Sequence, residues 1–433
     1  MSVPKQGGTA MRTLTVLIVG LFAIMAAYSF GLYHGRVSEH GVDISNAHAA
    51  PMQGKASPTK AIAERGVYYP GTEDLAPDEM RVVALGTGMP TIRPKQAAAC
   101  FLVELGNGDK FLFDIGQGSA SRLAAMKIPM DYLDKVFIGH LHMDHMADID
   151  SLWIGGVKMN RTYPLRVWGP SGTAPEFGTK YAMEGLRQYL HWDATTLAGL
   201  LDSRGEQLEV YEFDYKGVNK VIYQENGVTI RSIPAIHTLD GSVSFILEWN
   251  GLKFAYSSDT FPNKWWLEHT KGVDISVHEC FASPQILYDK QKYRPDFALT
   301  LSAIKHTSPQ QFGKVMAMTK PRLAVGYHFY NDHDTLPEQL ADVRATYDGP
   351  LAMATDYMVF NVTKDDIRVR MAAVDQDIWP TEPTRPKKVS DSMGDDFTDF
   401  IVSGKEWMPE TLKKIWATFN ERNGTNFEPP LKK

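Results

Sequence analysis

Three histidines and an aspartate fall within six residues at His140-Leu141-His142-Met143-Asp144-His145. The run follows Val136-Phe137-Ile138, a short apolar strand, so the chain turns there. A turn can aim His140 and His142 at one cation and Asp144 and His145 at a neighbouring one. Neutral imidazole nitrogens and carboxylate oxygens are the donors that a zinc-like divalent ion accepts. One run cannot fill two metal sites, so further ligands must come from downstream. Three residues sit where apolar runs end and loops converge: His237 after Ile233-Pro234-Ala235-Ile236, Asp259 in Ser257-Ser258-Asp259-Thr260, and His328 in Gly326-Tyr327-His328. Each is ordinary alone. Together with the run they complete two sites that share one carboxylate.

The elements that must position these residues are legible as short apolar runs. Arg81-Val82-Val83-Ala84-Leu85 reads as a strand entering the turn-rich loop Gly86-Thr87-Gly88-Met89-Pro90. Residues 99–105 and 111–114 read as strands joined by Gly106-Asn107-Gly108-Asp109, a hairpin signal, and 119–126 as a helix. Residues 165–168 form another strand, and 173–205 carry a mostly helical pattern. In the second half, residues 228–233 lead to His237, and strands 243–249 and 252–257 meet at Asn250-Gly251. Residues 274–277 end at His278, and 323–327 end at His328. Ser308-Pro309-Gln310-Gln311 is a capping box with proline at the first helical position. Residues 358–362 and 367–371 close the sheet. Strands mixed with helices in two similar halves place the chain in the α/β class. They predict two sheets covered by helices, with the loops gathered at one edge.

Composition narrows the partners. Of 433 residues, 43% are hydrophobic, and 45 Lys and Arg stand against 51 Asp and Glu, a net charge of −6. Polyanion binding by counterion release wants a basic surplus, so no nucleic-acid partner is expected. Residues 13–33 lack charge and follow Lys5 and Arg12, long enough to span a bilayer with the basic flank kept inside. A cleaved signal peptide, suggested by Ala47-His48-Ala49-Ala50, and an uncleaved anchor both stay open. Either places the body in the periplasm or otherwise outside the cytoplasm, the anchor tying it to the inner membrane. The expected organisation is a signal or anchor over 1–36, a linker over 37–78, a catalytic domain over 79–375 and a C-terminal extension over 376–433. In that extension Leu412, Ile415, Trp416 and Phe419 recur at helical spacing, which predicts a helix docked on the domain. Cys100 and Cys280 read as buried small residues, with a disulfide allowed in an exported protein.

The pieces also line up with a known family. In order they are Leu85-Gly86-Thr87-Gly88-Met89-Pro90, Phe113-Asp114-Ile115-Gly116-Gln117-Gly118, the H-x-H-x-D-H run, Trp168-Gly169-Pro170, His237, Ser258-Asp259-Thr260, His278-Glu279-Cys280, His306-Thr307-Ser308 and His328. Over about residues 80–365 the chain resembles the metallo-β-lactamase-fold hydrolases of the ribonuclease Z and arylsulfatase-like branch. The stretch from His306 to Phe312 with Tyr327 to Asp332 is also similar to a subset described as guanitoxin-biosynthesis-type hydrolases.

The resemblance implies an αββα sandwich with two divalent ions at its edge, Zn²⁺ first and Mn²⁺ or Fe²⁺ as alternatives. His140, His142 and His237 would hold one ion and Asp144, His145 and His328 the other, with Asp259 bridging. A hydroxide bridging the ions would be the nucleophile. His306 matches the family's general acid, and Glu279 could orient it. Asp114 would hold a ligand histidine, shape the turn before Gly116, or do both. His278 is either a support or a plain sheet-edge histidine, and His191, His269 and His333 read as non-ligands. Trp265, Trp266, Phe329 and Tyr330 either line an aromatic pocket or fill the core.

Departures from the family narrow the substrate. Asp259 separates the chain from β-lactam hydrolases, and His142 stands where oxygen-reducing relatives carry glutamate. Ribonuclease Z has an inserted arm that grips transfer RNA, and residues 243–257 leave no room for one. What the resemblance then implies is hydrolysis of a small-molecule ester, a phosphodiester or sulfate ester. A lactonase or other carboxylic-ester hydrolase of the same fold, and a non-catalytic metal-binding scaffold, are the alternatives. A homodimer is left open.

Overall fold

The computed structural model describes residues 66–197, 199–389 and 397–429. Period-two alternation decides its layering. In strand Cys100–Leu105, Phe101, Val103 and Leu105 enter one apolar cluster, while Cys100 and Leu102 enter another. Strand Met80–Gly86 divides the same way, with Met80, Val82 and Ala84 on one face and Val83 and Leu85 on the other. A strand buried on both faces must lie in a sheet covered on both sides.

Two such sheets are present. The nine-stranded one runs in the spatial order Val67–Tyr68, Ile367–Ala372, Met358–Val362, Met80–Gly86, Cys100–Leu105, Lys110–Phe113, Lys135–Phe137, Leu165–Pro170, Leu208–Phe213. The seven-stranded one runs Leu351–Met353, Leu323–Tyr327, Ile275–Glu279, Leu252–Tyr256, Val243–Trp249, Val228–Pro234, Lys220–Glu225. Phe101, Phe113, Phe137, Phe245, Phe254, Tyr256 and Tyr327 fill the space between the sheets. Each fully buried aromatic of this kind contributes roughly 1.5–3 kcal/mol over exposure. The outer face of the first sheet is covered with help from Leu123 and Met183, on helices Ser119–Ala124 and Thr179–Tyr189. That of the second is covered by Trp266, Phe312, Met316 and Val343. The layering is helix, sheet, sheet, helix, as the resemblance implied.

Parallel pairing gathers the site. Lys110–Phe113, Lys135–Phe137 and Leu165–Pro170 are parallel neighbours in one sheet, and Leu252–Tyr256, Ile275–Glu279 and Leu323–Tyr327 in the other. Asp114, His140, Asp259, Glu279 and His328 therefore all stand at the C-terminal ends of strands. Strands Val243–Trp249 and Leu252–Tyr256 meet through the Trp249–Leu252 pair, a two-residue Asn-Gly turn.

Several expectations need correction. Val67–Tyr68 lies inside the segment read as linker, yet it pairs in parallel with Ile367–Ala372. Its two residues were too few for a pattern. Strands Leu208–Phe213 and Lys220–Glu225 were missed because their outer positions are polar and half exposed. The start of the C-terminal extension straps the domain: Thr384 donates to Asp131 from its backbone at 2.7 Å and its hydroxyl at 2.6 Å, and Lys388 N reaches Asp202 at 2.6 Å. Helix Pro409–Asn423 forms as expected but buries no residue, and Ile415 and Phe419 are 53% and 54% exposed. Periodicity showed an apolar stripe; it could not show that anything covers it. Trp266, Phe329 and Tyr330 are buried in apolar clusters and fill cores, whereas half-buried Trp265 packs against one cluster and also lines a cavity with His237. Cys100 and Cys280 are both free and buried. The signal or anchor over 1–36 lies outside the described residues. Among the described residues, no helix is long and apolar enough to cross a membrane.

Candidate metal centre

His140 follows strand Lys135–Phe137 through Ile138 and Gly139. A Cβ at Gly139 would stand 2.3 Å from the Ser258 hydroxyl oxygen, so the close approach of the two loops requires glycine. Asp144 and His145 lie on the single helical turn Met143–Met146, whose N-cap is His142. That turn is seated on Gly116, where a Cβ would fall 2.0 Å from the Asp144 carbonyl oxygen. Asp114, Ser258 and His328 adopt left-handed backbone with φ of 56°, 50° and 68°. Non-glycine residues in that region cost of order 1–3 kcal/mol each and gather where the surroundings over-determine a site.

The side chains converge in two clusters around Asp259. In the first, His140 Nε2 lies 3.0 Å from His142 Nδ1, which lies 3.2 Å from His237 Nε2. Asp259 Oδ2 stands 3.8 Å from His140 Nε2 and 3.7 Å from His237 Nε2. In the second, Asp144 Oδ2 is 3.4 Å from His145 Nε2 and 3.1 Å from His328 Nε2. Asp259 Oδ1 is 3.2 Å from His145 Nε2 and 3.5 Å from His328 Nε2. One carboxylate thus turns one oxygen to each cluster. Ligand atoms ~2.0–2.2 Å from a tetrahedral ion stand roughly 3.3–3.6 Å apart, so both clusters fit a divalent ion. Buried His145 Nε2 and Asp259 Oδ1 have no hydrogen-bond partner among the described residues, as expected of ligand atoms.

The far sides of three of the rings are held, whereas buried His328 Nδ1 has no hydrogen-bond partner among the described residues. His140 Nδ1 lies 3.2 Å from Ser258 Oγ, His237 Nδ1 3.1 Å from the Lys305 carbonyl, and His145 Nδ1 2.6 Å from Asp114 Oδ2. Such outer partners fix tautomer and ring angle. Asp114 also accepts from Tyr256 OH at 2.7 Å, Ser258 Oγ at 2.9 Å and Gly139 N at 2.7 Å. Sequence reasoning gave no supporting role to Ser258 or Tyr256. Ser258 adjoins Asp259, a usable signal; Tyr256 alternates like any inward strand residue and gives none.

Electrostatics separates the clusters. Burial lowers the proton affinity of His140 well below normal, lowers His142, and brings His237 down to about 4 despite Asp259. These three are neutral donors. Burial opposes charge on His145 and His328 as well, but Asp259 and Asp144 outweigh it and raise both, with Asp114 adding to His145. Burial would raise Asp259, yet His145 and His328 hold it well below the usual carboxylate range. The carboxylates of the second cluster thus favour positive charge beside them, as a divalent cation would supply.

His306 Nδ1 lies 2.8 Å from Glu279 Oε2, and the other Glu279 oxygen accepts from Thr260 N. Phe281 stacks on His306 with ring centroids 3.8 Å apart and planes 7° from parallel. Burial brings His306 down to about 3 and, with Asp259, drives Glu279 up, so this buried pair favours a neutral state. Asp259, Glu279, His306 and His328 are also close enough to form a third ligand group, sharing two members with the second cluster. His278 is buried away from these clusters, with Nδ1 2.7 Å from the Glu279 carbonyl and its ring edge-on to Trp266. It is a plain sheet histidine. His191, His269 and His333 belong to none of the three groups among the described residues.

A family model described as anti-Pycsar protein Apyc1 matches residues 80–288. Ribonuclease Z of Mycobacterium marinum is 30% identical over 205 residues, covering 46% of this chain and 70% of that protein. The chain belongs to the ribonuclease Z family. Ribonuclease Z of Mycobacterium bovis is 29% identical over 211 residues, covering 46% of this chain and 69% of its own. The metallo-β-lactamase-fold protein YhfI of Bacillus subtilis superposes with a TM-score of 0.50 at 18% identity, covering 66% of this chain and 100% of its own, which shows the shared fold. As a member of this family the protein is a hydrolase of ester bonds, of the phosphodiester type, with clusters able to hold metal. The family's name stands against the expectation that nucleic acid plays no part.

Proposed function

We propose that the protein hydrolyses a small phosphodiester, with two divalent ions held by His140, His142, His237 and Asp259 on one side and by Asp144, His145, His328 and Asp259 on the other. The observation that carries this reading is Asp259, whose two oxygens face different ligand clusters while a Glu279-held imidazole stands beside both. Ions held by these residues would supply an activated water and charge stabilisation at the attacked phosphorus. The reaction breaks one P–O bond, adds the oxygen of water to phosphorus and returns a proton to the departing alkoxide. His306 Nε2–H passes that proton on while the protonated Glu279 carboxyl refills the ring at Nδ1, and the proton released by the attacking water restores the pair. Glu279 holds the ring's Nδ1 side, leaving Nε2 for the leaving oxygen, and Phe281 fixes the ring plane. Asp114, Ser258 and the Lys305 carbonyl keep the ligand imidazoles oriented.

A second reading, cleavage of RNA, is favoured by kinship with ribonuclease Z. Against it stand the net charge of −6 and the two-residue turn between Val243–Trp249 and Leu252–Tyr256. The deciding experiment is a panel with metal-replete protein: bis(p-nitrophenyl) phosphate, p-nitrophenyl sulfate, a chromogenic lactone and a labelled RNA oligonucleotide. Turnover of the phosphodiester well above the others supports the proposal; RNA cleavage as the dominant activity supports the second reading. Inertness on all four by protein that binds metal favours a scaffold. Action outside the cytoplasm is part of the proposal, motivated by the uncharged stretch 13–33. A reporter fused after residue 75 that is active only in the cytoplasm would refute it.

A further inference from the structure

A cavity of about 430 Å³ opens beside His140 and His142. Its wall is supplied on one side by Phe177 and Tyr181 and on the other by the loop that follows His237, including Leu239 and Asp240. Phe177, Tyr181 and Leu239 are 50%, 63% and 51% exposed, so apolar surface is left open next to a strongly polar centre. Glu176 and Asp240 also line the cavity. Among the described residues neither makes an ion pair with a basic side chain, and Asp240 accepts only from Tyr215 OH, at 3.3 Å, although Lys216 lines the adjoining cavity with it. No Lys or Arg is among the described residues that line the cavity, and neither are His306, Glu279 or Phe281.

These observations divide the substrate. A phosphodiester carries two organic groups. The one that departs takes its proton from His306, which is not part of the cavity wall. The one that stays on phosphorus must lie elsewhere against the centre, and the cavity adjoins the ligands His140 and His142. Two unpaired carboxylates repel an anionic group there. Aromatic faces and carboxylates together attract a cation, and the apolar remainder of the wall accepts its hydrocarbon body. We propose that this cavity recognises the retained group of the ester, and that this group is cationic and partly apolar, such as an alkylammonium alcohol. The inference rests on the phosphodiester reading and adds a substrate class to it.

The test compares two substrates that differ only in charge. p-Nitrophenyl phosphorylcholine retains a quaternary ammonium group; p-nitrophenyl 3,3-dimethylbutyl phosphate retains its uncharged carbon isostere. With full-length, metal-replete protein, kcat/KM for the first is expected to exceed that for the second by about tenfold or more, a difference of at least ~1.4 kcal/mol. In Glu176→Gln/Asp240→Asn the ratio is expected to fall to about one. A ratio of one or less in the parent protein, or a preference that survives the double substitution, overturns the inference. Bis(p-nitrophenyl) phosphate is measured alongside. Its turnover without a charge preference sinks the pocket assignment alone, whereas failure to hydrolyse any of the three diesters sinks the phosphodiester reading itself.

Discussion

Asp114→Asn isolates the contribution of a residue that touches no proposed ion. The carboxylate is fully buried, and its Oδ2 accepts from His145, Tyr256 and Ser258 while Oδ1 accepts from Gly139 N. Asparagine keeps the shape but has one acceptor oxygen. With that oxygen toward the three side-chain donors, its NH₂ faces the Gly139 N–H, so a buried backbone donor loses its partner at a cost of about 1–3 kcal/mol. The negative charge that supports the His145 Nδ1 proton also vanishes, and Nε2 becomes a poorer donor. Loss of such an outer partner weakens metal binding by about 10–100-fold, or about 1.4–2.8 kcal/mol. Zinc affinity is read by competition with a chromogenic chelator, and melting temperature is followed in parallel. The weaker site should be the one built on Asp144, His145, Asp259 and His328, with the His140, His142 and His237 site changed less. Wild-type affinity at both sites with a lowered melting temperature would refute the reasoning and reduce Asp114 to a folding residue.

Three further outcomes follow from particular contacts. His306→Ala should keep its metal content and lose about 10²–10⁴-fold on an alkyl phosphodiester, but much less on a p-nitrophenyl ester, whose leaving group needs little protonation; loss of a metal ion would instead make His306 a ligand, as its place near Asp259 and His328 allows. Gly116→Ala should impair zinc binding or folding although it removes no ligand, because its Cβ would overlap the Asp144 carbonyl oxygen; normal metal binding in a folded variant would contradict the seating argument. Burial works against charge on Asp131, but bonds from Thr384 and Thr162 prevail and hold its pKa below the usual value. A depressed carboxylate stabilises fully above its unfolded pKa, about 3.9, and that contribution fades as pH falls through the folded value. The strap over 376–389 should therefore loosen in acid, and Asp131→Asn should loosen it at neutral pH; amide exchange in that segment that is unchanged in both would reject the linkage.

The sequence and the structure agree where chemistry and local pattern coincide. Apolar runs ending in His140, His237, Asp259 and His328 could be read as strands feeding a common edge, because a buried strand and its loop are both local signals. The capping box at Ser308 is local too, and helix Pro309–Thr319 begins there. Pairing was not local. Nothing in Val67–Tyr68 announces a partner some three hundred residues away, and nothing in Leu412, Ile415, Trp416 and Phe419 says whether a partner exists. The residues around the ligands were half legible. Asp114 lies in a turn-forming segment before Gly116, and Glu279 was reached through the family resemblance. Tyr256 and Phe281 look like ordinary core aromatics until the loops close over them.

In the proposed mechanism Asp259 joins two ion sites that together hydrolyse a phosphodiester. Its most direct test is metal stoichiometry by elemental analysis of metal-replete protein, paired with His142→Ala and with bis(p-nitrophenyl) phosphate turnover before and after chelation. The expected result is about two divalent ions per chain, about one in His142→Ala, and turnover that is lost with chelator and restored with metal. A parent protein that holds one ion or none, or that keeps its turnover after complete removal of metal, would contradict it.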